Sequence, residues 1–249
     1  MAKNFYFKYL NNEVFSLLIL FDKASQDLSR RSLLLSAATT QADYIFELTN
    51  SLYELKITGV NEVQSLLRIL SDRLRDAKHV HFDELFELSY KLMAKCSTSL
   101  AEAPPNLIAT WANIYAIDNH AITSRADKTG IIISVNDKFS KVSGYQPHEL
   151  IGEDHVILNS GYHPKGFFKE MWQQIFSGRT WNGTVCNKNK QGDFYWVESS
   201  ISPVFNHAGE ILYFVSIRTD ITDVKTLEEE ASRAENRLKL SQQFANIGT

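Results

Sequence analysis

The feature that most constrains the fold is the uneven distribution of glycine and proline along the chain. Only one glycine, Gly59, and no proline precede Pro104. These two residue types disfavour the interior of a helix most strongly, so a long stretch nearly free of both favours long helices. Beyond Pro104-Pro105, glycines and turn residues recur. We therefore predict a boundary at this proline pair.

Residues 1–103 are predicted to form an all-α N-terminal helical bundle. Leucines recur there at the spacing of a helix face in two stretches: Leu66, Leu67, Leu70 and Leu74, and then Leu85, Leu88 and Leu92. We predict helices at about 5–29, 32–56, 60–77 and 82–100, with a break at Thr58-Gly59. The bundle is interpreted either as a dimerising or input unit or as a bundle without a ligand. His79 and His81 have no further ligands at metal-site spacing.

Composition excludes several classes of protein. The formal net charge is −3, which does not indicate a basic surface for nucleic acid. Cys96 and Cys186 are far apart and form no CxxC pair, so we expect neither a disulfide framework nor a metal site. This usage fits a reducing cytoplasm. The apolar run from Val14 to Phe21 is shorter than the roughly 20 residues that span a bilayer, so we expect no membrane span in this segment.

After a linker at 104–118 with a short amphipathic helix at about 105–117, the pattern changes to strands and turns. β-branched and aromatic runs alternate with turn residues such as Asp127-Lys128-Thr129-Gly130. We predict strands at 122–126, 131–135, 180–187, 193–205 and 211–219, and helices at 137–143, 148–151 and 167–176. The predicted fold class is α+β: a five-stranded antiparallel sheet with helices on one face.

The tail from Thr222 is predicted to be a helix with a narrow apolar seam. Its apolar residues fall at alternating steps of three and four, typical of a coiled coil: Val224, Leu227, Ala231, Ala234, Leu238 and Ala245. The seam is short and rich in alanine. We interpret residues 224–249 as a signalling helix, and a solvated linker helix is the alternative.

Three strings in the second half resemble the PAS family of sensory domains: AIDNHAITSRADKTGIIISVNDKFSKVSGYQPHELIG, HPKGFFKEMWQQIFSGRTWNGTVCNKNKQGDFYWV and YFVSIRTDITDVK. The closing Asp220-Ile221-Thr222 matches the junction that commonly joins a PAS sheet to its signalling helix. The resemblance implies a PAS sensor domain at 119–223. The last segment, RAENRLKLSQQFANIGT, resembles the opening of a further PAS domain. That implies a fragment of a multidomain bacterial sensor whose output domain lies outside this chain.

Within the family, the strings resemble the FAD-binding subgroup that includes the aerotaxis receptor and the sensors of nitrogen fixation and methane oxidation. This implies FAD as the cofactor, with Asn136 and Asn187 at positions that contact the flavin. Strand alternation places Trp181, Gly183 and Asn187 on one face, where Trp181 can stack on a flat ring and Gly183 leaves space. Asn187 offers both a donor and an acceptor to a ring edge. The remaining candidate cofactor contacts are Trp172 and His163 near the mouth, Arg218 and Asn159.

Other chemistries are weighed against this one. Light-sensing members form an adduct through a Gly-x-Asn-Cys string, but His155 stands where that cysteine should be. Haem-binding members need an axial histidine on the long helix, and 167–176 contains none. No catalytic motif appears, so we expect this segment not to be an enzyme. A kinase or cyclic-dinucleotide enzyme domain would belong to the rest of the protein. A cofactor-free PAS module used for dimerisation and protein interaction is the alternative function.

The predicted function is sensing of redox state or oxygen through the PAS-bound flavin. We expect a parallel homodimer through the N-terminal helices and the C-terminal seam, with a downstream output domain in the same polypeptide. In the predicted last strand, Phe214, Ser216 and Arg218 lie on one face. We expect the outer face of this strand, which is partly apolar, to pack on the helix at 105–117 or on the partner subunit. We hypothesise that Asn187 flips its amide when the ring changes protonation, which biases the register of the signalling helix.

Overall fold

The computed structural model describes residues 2–54, 60–75, 91, 113, 116–206 and 208–247. Three of the four predicted N-terminal helices are present: α1 (Ala2–Gln26), α2 (Arg31–Glu54) and α3 (Val60–Arg75). Several predicted features lie outside the described residues: the break at Thr58-Gly59, His79 and His81, the proline pair, and most of the helices predicted at 82–100 and 105–117.

The predicted five-stranded antiparallel sheet is confirmed. Its strands are β1 (Ile122–Asp127), β2 (Ile132–Val135), β3 (Trp181–Lys188), β4 (Phe194–Phe205) and β5 (Ile211–Asp220), in the spatial order β2-β1-β5-β4-β3. Between β2 and β3 the chain forms α4 (Asp137–Ser143), α5 (Pro147–Leu150), a 3₁₀ turn (His155–Leu158) and α6 (Phe167–Phe176). The first and last strands in sequence are thus close in space, since β5 pairs with β1 along its length.

The turn between β1 and β2 is built by one carboxylate. Asp127 Oδ1 accepts hydrogen bonds from the Thr129 N–H at 2.9 Å, the Thr129 hydroxyl at 2.7 Å and the Ile131 N–H at 3.0 Å. Gly130 has a φ of +93°, which residues with a side chain rarely adopt. The sequence Asp-Lys-Thr-Gly therefore reverses the chain locally, as predicted.

The inner face of the sheet packs against α4, α5 and α6. Alternate residues of the strands supply one side of this core, and residues of the helices supply the other. Twelve apolar side chains form the buried cluster: Ile122, Ile132, Phe139, Leu150, Leu158, Met171, Ile175, Trp181, Val185, Tyr195, Val197 and Phe214. The domain therefore has its own hydrophobic core between sheet and helices.

The N-terminal helices pack on the opposite, outer side of β2. Ile131, Ile133 and Ile151 are buried in one apolar cluster with leucines of α1, α2 and α3. The sequence prediction treated the helical segment as a separate bundle and did not include this shared core. In β2, Ile133 packs into this cluster and Ile132 packs into the inner core, so the strand is covered on both faces. This explains why β2 reads as a nearly continuous apolar run.

A buried ion pair joins α1 to the outer face of β1. Arg125 pairs with Glu13, and their side chains are only 8 % and 4 % exposed. The Gln41 amide of α2 donates to Glu13 Oε2 at 2.8 Å and to the Glu13 carbonyl at 2.9 Å. The Arg125 guanidinium lies 3.5 Å from the centre of the Tyr44 ring.

Tyr44 also makes an edge contact with Tyr213 on β5, with ring centroids 5.5 Å apart. The sequence prediction placed the helix at 105–117 or a partner subunit on this outer face of β5. Within the described residues α2 contacts the face through Tyr44, and Ile117 borders the same groove. The helix α2 thus covers part of the outer face of β5.

A second contact joins the turn between α1 and α2 to the loop after α5. Glu153 accepts from Lys23 Nζ and from Arg30 Nη1, both at 2.9 Å. The other Arg30 amino group donates to the Gly152 carbonyl at 2.5 Å. These charged side chains are about a quarter to a third exposed, so each pair stabilises the packing by no more than about 1 kcal/mol.

The predicted tail helix is present as α7 (Thr222–Ile247). Thr222 Oγ1 accepts from the Trp196 N–H at 2.9 Å, and the Ile221 N–H donates to the Trp196 carbonyl at 2.9 Å, so the start of α7 is bonded to β4. In this single chain the seam residues Val224, Leu227 and Leu238 are 54–65 % exposed. Among the described helices, none has the length and apolar character needed to cross a membrane.

Candidate cofactor cavity

A cavity of about 150 Å³ lies between the inner face of the sheet and α6. This is roughly ten times the volume of about 15 Å³ that is needed to admit one water molecule, so the space can take a group larger than water. Its walls are mainly apolar: Ala126, Val156, Leu158, Phe168, Met171, Trp172, Ile175, Val185, Ile201 and Phe214. An apolar slot with a few polar groups is the usual character of a small-molecule site.

The floor of the cavity is a polar strip across the three central strands. Ser124 of β1 is opposite Ser216 of β5, and Ser199 of β4 is opposite Arg218 of β5. All four face inward because they alternate with outward residues along their strands. The strip exists only because β5 lies between β1 and β4 in the sheet.

Two hydroxyl groups on this floor lack a partner. Ser199 Oγ and Ser216 Oγ are buried and form no hydrogen bond within the described structure, although both border the cavity. An unsatisfied buried polar group costs about 1–3 kcal/mol. The two serines lie diagonally across the β4–β5 pair, since Ser199 is opposite Arg218 and Ser216 is opposite Ile201, and both hydroxyl groups are within the lining that a bound molecule would contact.

Arg218 is the cation of this floor. It is 8 % exposed, its Nη1 donates to Ser124 Oγ at 3.0 Å, and its guanidinium lies 5.4 Å from the Phe139 ring centre. Burial lowers the pKa of Arg218 to about 10, which leaves it protonated at neutral pH. Across the described ranges, no carboxylate forms an ion pair with it.

His155 lies beside this arginine. Its Nε2 is 3.2 Å from Ser124 Oγ, and its ring contacts Phe139 edge-on at 6.4 Å. Burial, and secondarily the Arg218 charge, lowers the pKa of His155 to about 3, so the ring is neutral at pH 7. Ser124 accepts from Arg218 and has its own proton to donate, which assigns Nε2 of His155 as the acceptor.

Asn187 closes the strip on the β3 side. It is 9 % exposed and borders the cavity. Asn159 pairs with it through an isolated antiparallel bridge and borders the same space. Tyr195 of β4 is opposite Asn187 in the sheet, and burial raises its pKa to about 12.

The structure brings four of the eight sequence-predicted cofactor contacts to the cavity: Asn187, Arg218, Asn159 and Trp172. Trp181 lies in the adjoining core, edge-on to Phe167 at 5.7 Å, and does not border the cavity. At Gly183 an added Cβ would be 2.5 Å from the Trp181 ring. The space left by this glycine is therefore filled by Trp181.

Asn136 and His163 are placed by local bonding outside the cavity lining. Asn136 Oδ1 accepts from the N–H groups of Phe139 and Thr123, and its amide donates to the carbonyls of Asp118 and Ala121. It caps α4 and fixes the start of β1, a complete set of bonds that explains an asparagine here.

His163 Nε2 accepts from the Cys186 N–H at 2.8 Å, and its ring stacks on Phe167 at 4.0 Å. Burial lowers the pKa of His163. The imidazole thus holds the loop before α6 against β3, one residue from Asn187.

Sequence reasoning missed His155, Ser124, Ser199 and Ser216 as cavity residues. It considered His155 only as the residue that replaces a reactive cysteine and, with His163, as a poor match for a haem ligand. That alignment was itself a signal, because a residue matching a position that reacts with a bound ring is expected to face the ring. Serines alternating with apolar residues in β4 and β5 gave no comparable signal.

The comparisons with known proteins agree with this architecture. The family described as PAS domain matches residues 119–223, which are the residues that form the five-stranded sheet and its inner helices. Residues 119–223 are a PAS domain. The PAS domain accounts for β1 to β5 and the cavity, whereas α1–α3 and most of α7 lie outside the match.

Several curated relatives contain similar sequences. The aerotaxis receptor of Escherichia coli is 37 % identical over 114 residues, covering 46 % of this chain and 22 % of the relative. The nitrogen fixation regulatory protein of Klebsiella oxytoca is 28 % identical over 148 residues, covering 59 % and 28 %. The blue-light-activated histidine kinase of Brucella canis is 27 % identical over 128 residues, covering 47 % and 26 %.

This chain thus spans less than a third of the length of these relatives. They are named as a receptor, a regulatory protein and a kinase, so the PAS domain is similar to the sensor modules of signalling proteins. Among solved structures, a PAS domain from Colwellia psychrerythraea is 22 % identical with a TM-score of 0.40, covering 46 % of this chain and 98 % of its own. A LOV domain from Erythrobacter litoralis is 21 % identical with a TM-score of 0.39, covering 41 % and 96 %.

Proposed function

We propose that this PAS domain binds FAD without a covalent bond and senses redox state or oxygen. The observation that carries the proposal is the polar floor, where two buried serine hydroxyls lack partners beneath an otherwise apolar slot. A flavin has this distribution of chemistry: a flat apolar ring body with donors and acceptors along one edge. The resemblance of the sequence to FAD-binding PAS domains supports the same ligand.

The apolar and polar residues that border the cavity would contact different parts of the flavin ring. Met171, Trp172 and Ile175 of α6 would pack on one face of a flavin ring, and the apolar residues of the sheet would pack on the other. Asn187, Arg218 and Asn159 would offer hydrogen bonds to its polar edge. Four of the predicted contacts do not border the cavity and take no part in this arrangement: Trp181, Gly183, Asn136 and His163.

The bound flavin would supply reversible electron transfer with a change of protonation at its ring. Asn187 responds to that change, because its amide presents a donor at one end and an acceptor at the other. We hypothesise that a flip of this amide alters the bonding of β3 to β4. Trp196 of β4 holds Thr222 and Ile221 at the start of α7, which gives the change a route to the helix.

We further propose a parallel homodimer that passes this change to a downstream output domain. The exposed seam of α7 supports this proposal, since leucines more than half exposed are buried when two such helices pair. The N-terminal helices would add contacts. Cys186 is buried and free, which suits a reducing compartment, and we propose a cytoplasmic location.

The test is the visible absorption spectrum of the full chain purified after FAD is supplied. We expect the absorption bands of oxidised flavin, released on denaturation because no bond holds the cofactor. A Ser216→Phe variant, which fills the cavity floor, should lose those bands, whereas Ser177→Ala at an exposed helix end should keep them. If the unaltered chain shows no flavin bands, the flavin proposal fails. The alternative, a cofactor-free dimerisation module, then stands.

A further inference from the structure

The two buried arginines of the PAS sheet differ in their partners. Arg125 faces outward and has a carboxylate partner, Glu13. Arg218 faces the cavity, and its hydrogen bond goes to the neutral hydroxyl of Ser124. A buried charge without a counter-charge is costly, and natural proteins pair such charges. Within the described residues, Arg125 thus has a carboxylate partner and Arg218 does not.

The groups around Arg218 do not provide a negative charge. His155 is neutral near pH 7, and Tyr195 is neutral because burial raises its pKa. Asp154 borders the cavity but is exposed, and it forms no ion pair with Arg218 in the part of the chain that the structure describes. The serines of the floor are uncharged.

We propose that Arg218 makes the cavity selective for a ligand that carries negative charge on the edge facing the sheet. With a flavin, as in the function proposed above, Arg218 compensates the charge that remains when the ring takes up two electrons and only one proton. The electrons come from an external reductant, and Arg218 keeps its own proton. Arg218 is thus a charge-compensating residue that sets the redox potential of the site.

The direction of the effect follows from binding linkage. Arg218 stabilises the reduced, charged ring more than the oxidised, neutral one, so removing the charge lowers the midpoint potential. A tenfold loss of affinity for the reduced form relative to the oxidised form corresponds to about 30 mV for a two-electron couple. Loss of packing alone would weaken both forms equally and leave the potential unchanged.

The first experiment measures midpoint potentials of the FAD-loaded chain by titration with dithionite against a reference dye. We expect Arg218→Gln to lower the potential by at least 30 mV, the shift that a tenfold loss produces. Arg218→Lys, which keeps the charge, should lower it less, and the exposed Arg179→Gln should have no effect. An Arg218→Gln potential equal to that of the unaltered chain overturns the inference.

The second experiment needs no flavin. Thermal unfolding of the ligand-free chain compares Arg218→Met with Arg125→Met. Removal of an uncompensated charge should leave Arg218→Met as stable as the unaltered chain or more stable, whereas Arg125→Met breaks an ion pair and should be destabilised. If Arg218→Met is destabilised to the same extent, or fails to fold, then Arg218 is structural and the inference is overturned. If the chain takes up no FAD but Arg218→Met is stable, the flavin proposal fails and selectivity for an anionic ligand is retained.

Discussion

The ion pair between Glu13 and Arg125 should account for a large part of the attachment of the N-terminal helices to the PAS sheet. Both side chains are more than nine-tenths buried. Glu13→Gln keeps the shape and removes the negative charge, which leaves the Arg125 charge buried without its carboxylate. Breaking a buried pair by removing one partner costs about 3–5 kcal/mol. We expect that loss in the free energy of unfolding, and a fall in melting temperature on the order of 10 °C.

The assay is urea unfolding followed by circular dichroism and by tryptophan fluorescence. Coincidence of the two transitions tests whether the helices and the PAS domain unfold as one unit. Glu153→Gln is the matched control, because it removes a carboxylate from the partly exposed contact with Lys23 and Arg30. It should cost no more than about 1 kcal/mol per pair.

The double variant Glu13→Gln with Arg125→Met should recover most of the loss, because it buries no uncompensated charge. The reasoning is refuted if Glu13→Gln costs less than about 1 kcal/mol, the range of a surface pair. It is also refuted if the double variant is less stable than the single one. Either result would mean that apolar packing of α1 and α2 alone holds the helices to the sheet.

Four further outcomes are expected. Asn187→Asp should bind flavin but hold α7 in one arrangement in both redox states, because an ionised carboxylate can only accept hydrogen bonds. If distances between spin labels on α7 still change with redox state in this variant, as in the unaltered chain, the amide flip is contradicted. Gly183→Ala should lower stability by about 1–3 kcal/mol through overpacking against Trp181, measured by thermal unfolding. Leu227→Glu should shift sedimentation toward monomer, and no shift would exclude the α7 seam from a dimer. Stability should fall by up to about 1.4 kcal/mol per pH unit as pH drops below 6.5 toward 3, because the unfolded state binds a proton that His155, whose pKa is lowered to about 3 in the folded state, does not bind. His155→Gln should flatten that slope in denaturant titrations.

Local signals in the sequence were sufficient for the strands and the main helices of the PAS domain, but not for the 3₁₀ turn at His155–Leu158. The helices predicted at 137–143 and 167–176 have those bounds in the structure, and each strand begins and ends within one residue of its prediction. Turn chemistry at Asp127 and Gly130 and the alternation of apolar residues are properties of neighbours in the chain. The inward face of β3, with Trp181 and Asn187, was likewise readable from its period of two.

The function of each polar residue was decided by tertiary structure. Asn136 and Asn187 looked alike in the sequence as ligand contacts, yet the structure makes one a helix cap and places the other at the cavity. Ser199 and Arg218 are far apart along β4 and β5, and become opposite neighbours only when those strands pair.

The sequence by itself therefore determined the order of the strands and main helices from 122 to 220, the resemblance to PAS domains over 119–223, and the face of β3 that Trp181 and Asn187 share. Only the tertiary structure decided that β5 lies between β1 and β4, that α1 and α2 cover the outer face of β2, and that Arg218 is buried without a carboxylate. The physical reason is that secondary structure follows from contacts within a few residues. The burial and pairing of a charge instead depend on which distant segments become its neighbours.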